Sequence, residues 1–282
     1  MRIRSLVSAL ALILATLAAQ AYTLQFKDAP GTTRTYKSKM AITGAMSAAG
    51  LNLPIDSTID MTLMEKVLGV KDQVSSVAYG LQNGTLHLKV TGILGDDPEQ
   101  TIDQDLPTFT FTFNRTPQGK VSNVKTEGEI TNLFLGSADA LTNPMESPGQ
   151  GLEFPAGPLK IGDTWNGSQT AQVGNAQAKV TALYTLAGTE VVNGKTYLKI
   201  TCDTTISVPG ANMNAADNAP MAMAMSLKGR TTTLFDEAAG EPFRTTFTMT
   251  GTVNMSSDET MGMEVKTTLN ITGSMEKVAN GG

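Results

Sequence analysis

The chain has 282 residues, 40% of them apolar and 5% aromatic, with a formal net charge of −5 from 21 Lys and Arg against 26 Asp and Glu. Acids and bases are interspersed and leave no basic field to hold a phosphate backbone, which excludes nucleic acid and anionic membrane surfaces as partners. The lone cysteine, Cys202, excludes an intramolecular disulfide, so the fold must rest on packing.

Residues 1–21 read as a secretory signal peptide. Arg2 and Arg4 supply the positive end, the apolar run Leu6 to Ala18 follows, and Ala19-Gln20-Ala21 presents small residues where a signal peptidase reads. That run is shorter than the roughly 20 residues needed to span a bilayer. The mature chain is expected to begin at Tyr22, in the periplasm or outside the cell. It is expected not to span a membrane and, with no cysteine at position 22, not to be lipid-anchored.

Beyond residue 22 the dominant pattern is period-two alternation, the mark of half-buried strands. Ile55, Ser57, Ile59, Met61, Leu63 and Val67 fall on one face against Asp56, Thr58, Asp60, Thr62 and Lys66 on the other. Phe109, Phe111 and Phe113 alternate with threonines, and Phe243, Phe247, Met249 and Val253 share a face if the phase slips at Thr245. Turns are expected at Asn83-Gly84, Thr116 to Gly119, Asn193-Gly194 and Ala238 to Gly240, because Asn-Gly and related pairs accept positive φ. Helix signals are few: a short helix capped by Asn132 and ending before Pro144 is the clearest. The Pro- and Gly-rich stretch 143–157 reads as a linker or long loop, and Asn212 to Pro220 as a surface loop.

The fold class expected is therefore all-β or β-dominated, a large twisted antiparallel sheet with few short helices. A first β module over 22–142 and a second over 158–282 form one organisation, as half-barrels or sandwiches. Asn83-Gly-Thr-Leu-His-Leu-Lys-Val90 aligns with Asn193-Gly-Lys-Thr-Tyr-Leu-Lys-Ile200, Phe113 to Gly119 parallels Phe235 to Gly240, and Pro30-Gly31 before Tyr36 parallels Ile161-Gly162 before Trp165. Hairpins resemble one another by physics alone, which leaves true duplication open.

The run Phe154-Pro-Ala-Gly-Pro-Leu-Lys-Ile-Gly-Asp-Thr-Trp165, followed by the Phe235 to Pro242 turn, resembles a group of exported bacterial β-rich proteins of unknown function that repeat such a module twice. More distantly, the pattern resembles the half-barrel lipoprotein carriers of the bacterial envelope. That resemblance implies acyl chains held on a concave apolar face.

No residues form a recognisable catalytic motif, and the expectation is that the protein is not an enzyme and uses no cofactor. His87, the only histidine, sits on the polar face of its strand and reads as a surface cross-strand residue. Cys202 reads as a small buried hydrophobe. The acids Asp96, Asp97, Glu99, Asp103 and Asp105 lack the spacing of a Ca²⁺ loop and read as a solvated connection. Methionine is the unusual feature, with 15 in all. Met221, Met223, Met225, Met249, Met261 and Met263 fit three readings: sheet core, an apolar ligand groove suited to a polarizable side chain, or a Cu(I) site. The absence of neighbouring His or Cys ligands ranks the groove above copper. The expected function is non-catalytic binding in the cell envelope, of an apolar small molecule or lipid. The alternatives are a structural or interaction module whose partner is another envelope protein, and a hydrolase with an unrecognised carboxylate site.

Overall fold

A computed structural model describes residues 20–48, 50–90, 100–128, 152–173, 176–214, 220–257 and 264–278. They form twelve strands and, among the described residues, no helix. In chain order these are β1 (Thr33–Ala48), β2 (Leu51–Lys71), β3 (Val74–Val90), β4 (Gln100–Asp105), β5 (Phe109–Arg115), β6 (Val121–Gly128), β7 (Thr164–Val173), β8 (Ala176–Val192), β9 (Lys195–Asn214), β10 (Pro220–Asp236), β11 (Glu241–Ser257) and β12 (Glu264–Lys277).

All twelve belong to one open antiparallel sheet in the order β6-β5-β3-β2-β1-β12-β11-β10-β9-β8-β7, with β4 also on β3. Each half of the chain is a meander, and the halves join where β1 pairs with β12, from Tyr36↔Lys277 to Ala48↔Val265. The two halves are thus parts of one continuous sheet and do not stack as a sandwich. β4 and β5 are nearly one strand along the edge of β3, Thr85 opposite Asp105 and Leu81 opposite Phe109. Pro107, which has no N–H to donate, interrupts them.

The strand backbones run close only to their neighbours in the sheet, with a minor approach of β7 to β9, while inward side chains meet across the coil. Burial therefore comes from coiling of the sheet and from extended segments laid on its inner face. One core gathers Tyr36, Ile59, Leu63, Val77, Tyr79, Phe113 and Met275 from β1, β2, β3, β5 and β12. Inward glycines permit the coiling: a Cβ on Gly44 would stand 1.9 Å from the Thr268 carbonyl oxygen, and one on Gly251 2.0 Å from that of Ser226. Their neighbours across the ladder are large, Leu269 between Gly44 and Gly251 and Leu227 beyond Gly251, so small and large side chains alternate across the bend.

Several local expectations are corrected. Asn83-Gly84 is not a turn: β3 runs straight through it, with a bulge at Gln82 where Thr62 faces Asn83 and Leu63 faces Leu81. The β2–β3 reversal lies at Asp72-Gln73, both at positive φ (50° and 65°). Asn193-Gly194 is the β8–β9 turn (φ 51° and 78°), and Thr116 to Gly119 and Ala238 to Gly240 turn as expected. The phase slip expected at Thr245 lies at Phe243, where Leu234 faces Arg244 and Phe235 faces Pro242, and Thr245 faces inward at 2% exposure and shares a hydroxyl–hydroxyl hydrogen bond with Thr233 at 3.2 Å. Asn212 to Asn214 belong to β9, and Pro220 opens β10. The helix expected after Asn132 lies outside the described residues, as do 143–151 of the expected linker.

Candidate functional site

Two extended segments, 22–32 and 152–163, strap one end of the inner face. Tyr22 and Leu159 exchange backbone hydrogen bonds of 2.7 and 2.8 Å. Phe26 N–H donates to Pro117 O in the β5–β6 turn, and Lys27 N–H donates to Gly240 O in the β10–β11 turn. One dipeptide thereby ties together turns that lie on opposite sides of the β1–β12 pair. Phe154 N–H donates to Gln118 O, and the Trp165 indole donates to Glu153 O. Phe26, Phe154 and Phe235 form an aromatic trio with centroids 5.1 to 6.0 Å apart.

Beneath the first strap lies a buried ionic cluster that the sequence reading missed. Arg34 on β1 and Arg115 on β5 are 2% and 1% exposed. The Asp28 carboxylate, carried by the strap, accepts from Arg115 Nη2 (2.9 and 3.0 Å), from Arg115 Nε (3.2 Å) and from Arg34 Nη1 (3.0 Å). Glu65 on β2 accepts from both arginines, Glu241 accepts from Arg34 Nε, and Lys277 pairs with Glu241. Three cations thus face three carboxylates. The Phe26 ring covers the Arg115 guanidinium at 4.3 Å.

Burial alone would raise the Asp28 carboxyl, yet the Arg115 and Arg34 guanidiniums beside it hold it below the ordinary carboxylate range. Tyr36 and Tyr79 are pushed up by burial and by the Glu65 charge, so both phenols stay neutral. The Tyr79 hydroxyl is buried without a hydrogen-bond partner among the described residues. The sequence signal for this cluster was phase. Glu65 falls on the apolar face of β2 between Leu63 and Val67, Arg115 continues the Phe109-Phe111-Phe113 face, and Arg34 precedes Tyr36 on its face. A charge in register with a dry face needs a partner when buried.

The same backbone arrangement recurs in the second half. Gly31 N–H donates to Val67 O, Val67 N–H to Thr32 O and Thr32 N–H to Ala29 O. In parallel, Gly162 N–H donates to Leu186 O, Leu186 N–H to Asp163 O and Asp163 N–H to Lys160 O. Val67 and Leu186 are both fully buried, and each is followed by a one-residue bulge, at Leu68 or Ala187, and then a glycine, Gly69 or Gly188. With these frames matched, the Arg34–Glu65 pair corresponds to the stacked Trp165–Tyr184 pair, Arg115 to Phe235 and Asp28 to Leu159. One half has charge where the other has aromatic and aliphatic packing.

The methionines divide. Met223 is 2% exposed and packs with Ala178, Val208 and Val253, with Met225 and Met255 partly buried against that cluster. Met249 is half-buried on the inward face of β11, opposite Gly229 and Ile271. Met221 lies in β10 with its backbone opposite Met213 and Ser257. Met261 and Met263 lie outside the described residues. Met223, Met225 and Met249 share one face of two adjacent strands, but Met223 belongs to the core.

Elsewhere, His87 lies on the outer face, its Nδ1 2.8 Å from Asp103 and its Nε2 3.7 Å from Asp60. It acts as the cross-strand residue expected, whereas Tyr197, its aligned counterpart, is buried and stacked on Phe243 at 4.5 Å. A polar groove of about 740 Å³ opens beside the Gln82 bulge, lined in part by Lys39, Asp60, Asn83, Asp105 and Glu276. Cys202 is buried and 3.3 Å from the Thr204 hydroxyl, and burial raises its thiol further from reactivity. Among the described residues no group of three or more His, Cys, Asp or Glu is arranged to hold a metal, and no helix is long and apolar enough to cross a membrane.

Residues 152–240, from the second strap through β10, match a family of unknown function, DUF6263. No curated protein matches the chain. Among solved structures, a DUF1329 family protein from Desulfovibrio piger is similar at 9% identity over 89% of this chain and 88% of that one, with a TM-score of 0.19.

Proposed function

We propose that the protein is an exported, non-catalytic component of the bacterial envelope, built from two copies of one β module, that holds an apolar ligand of lipid type on the inward face of its sheet. The observation that carries this reading is the inward face of β1, β11 and β12 beyond the straps. Met40, Phe247, Met249, Leu269 and Ile271 are half-buried there, side by side by register, with Met40, Leu269 and Ile271 packed at the border of the first core. An apolar face left partly wet in a single-layer sheet is a surface for something else to cover. Export is supported by the residue 1–21 pattern and by the fall from exposed Ala21 to buried Tyr22, where the first strap begins. The doubled Gly–Val/Leu hydrogen-bond frame supports the repeated module.

The test is native mass spectrometry of the processed protein recovered from its own envelope, beside a Met225→Asp, Met249→Asp variant. The wild type is expected to begin at Tyr22 and to carry an extra mass that denaturation removes, and the variant is expected to lack it. A clean apo mass for the wild type overturns ligand carriage and favours a protein-interaction module.

A further inference from the structure

We infer that Arg34 and Arg115 form a carboxylate-binding site that the strap residue Asp28 fills from within, and that a fatty-acid carboxylate displaces it when an acyl chain lies on the inward face. This deepens the lipid reading above and rests on it.

The argument begins with charge. Glu65 and Glu241 belong to the sheet, as do Arg34, Arg115 and Lys277, so the sheet-borne part of the cluster carries one positive charge more than it neutralises. The missing negative charge comes from Asp28, the one member that does not reside on a strand. Its binding is that of a ligand: both carboxylate oxygens engage Arg115 in a fork, and one also reaches Arg34. The equivalent strap position in the other half is Leu159, whose surroundings are apolar, so a strap needs no carboxylate to dock. A charge is therefore not a requirement of the repeated frame but a property of this site. Tyr79 adds an independent sign. Its hydroxyl is buried beside Glu65 with no partner among the described residues, a spare polar group at the edge of the cluster.

The site shares the inward side of β1 with the apolar face, buried Tyr36 and Ser38 standing between Arg34 and half-buried Met40. From Arg34, the inward residues of β1 are Tyr36, Ser38, Met40 and Ile42, a run of about 25 Å along the strand. A carboxylate at the arginines directs its chain along that line. The strap is tied by backbone bonds between Tyr22 and Leu159, from Phe26 to Pro117, from Lys27 to Gly240 and between Gly31, Thr32 and Val67, and none of these is a ladder bond between two strands, so release of Asp28 leaves the sheet intact.

The experiment uses the full processed chain with oleate and with oleyl alcohol, which has the same tail and no charge. Oleate is expected to bind roughly tenfold or more tightly than the alcohol, and to accelerate hydrogen exchange at the Phe26 and Lys27 amides. Asp28→Asn, which removes the internal competitor at constant shape, is expected to tighten oleate several-fold while leaving the alcohol unchanged. Equal binding of the two probes with strap protection unchanged overturns the carboxylate site while the lipid reading stands. Failure of both probes to bind overturns the lipid reading and this inference with it. Because the exchange measurement is made on the wild type, the outcome does not depend on the variant folding.

Discussion

Glu65 shows how much one side chain carries in this fold. It accepts from both buried arginines, so Glu65→Ala leaves two guanidiniums that water cannot reach sharing Asp28, with Glu241 on Arg34 alone, and an uncompensated buried positive charge. Breaking a buried ion pair from one side typically costs about 3–5 kcal/mol, and a loss of this order in urea unfolding is expected. Replacing the whole set with matched apolar residues is a different experiment, because the second half shows Trp165, Tyr184 and Phe235 filling the equivalent positions. Asp28 sets the pH response. Its carboxyl lies below the unfolded value, so its contribution is fully present above the ordinary carboxylate range and is lost as pH falls through the folded value. Urea midpoints measured from neutral pH down through the acid range are expected to fall, and Asp28→Asn to flatten that part of the curve.

At the scale of elements, the glycines under the straps are the sensitive points. Gly240 has φ +65°, and a Cβ there would stand 2.5 Å from the Lys27 backbone nitrogen. Gly119 has φ +87°, and a Cβ there would meet the Leu152 carbonyl oxygen at 2.0 Å. Gly240→Ala is expected to release the first strap, measured as faster limited proteolysis within 22–32 while β-sheet circular dichroism is retained. The β2–β3 turn offers the opposite change. Gln73 holds φ 65° with a side chain, a left-handed conformation costing roughly 1–2 kcal/mol. Gln73→Gly is expected to raise thermal stability, with the gain reduced by glycine's greater unfolded-state entropy.

These elements also show what could be read in the sequence. Alternation in β2, β5 and β11 revealed strands because one face of each is dry, and Asn193-Gly194 revealed a turn because nothing competed with it. Asn83-Gly84 misled because the pair sits where β3 bulges against β2, and long-range pairing on both edges of β3 outweighed its local preference. Asp72-Gln73 was invisible because neither residue advertises positive φ as glycine does. The ionic cluster went unread for another reason. Each sheet charge was legible in phase, but apart from Arg34 and Asp28, 6 residues apart, the partners lie 31 to 207 residues from one another, and only the sheet brings them together. The methionines were legible as a face and not as a site, since burial separates Met223 from Met249.

Over the whole molecule, stability is spread along a single layer. The strand backbones lie close to their neighbours alone and their inward side chains meet only because the sheet coils, so its curvature determines how much apolar surface is hidden. The large residues that meet the inward glycines, Leu227, Leu269 and Met249, are as important to that curvature as the glycines themselves.

The pairing of β1 with β12 bears on the order of events during synthesis. The first strand made and the last share a ladder at the middle of the sheet, and Val278 N–H closes it onto Thr35 O. Until the final residues emerge, β1 has one edge without its partner and β11 likewise. Contacts of such long sequence separation form slowly and leave edges open to other chains. A chain truncated before Glu264 is accordingly expected to aggregate on size-exclusion chromatography. The C-terminal strand thus acts as the clock: the sheet is completed only after β12 has been made.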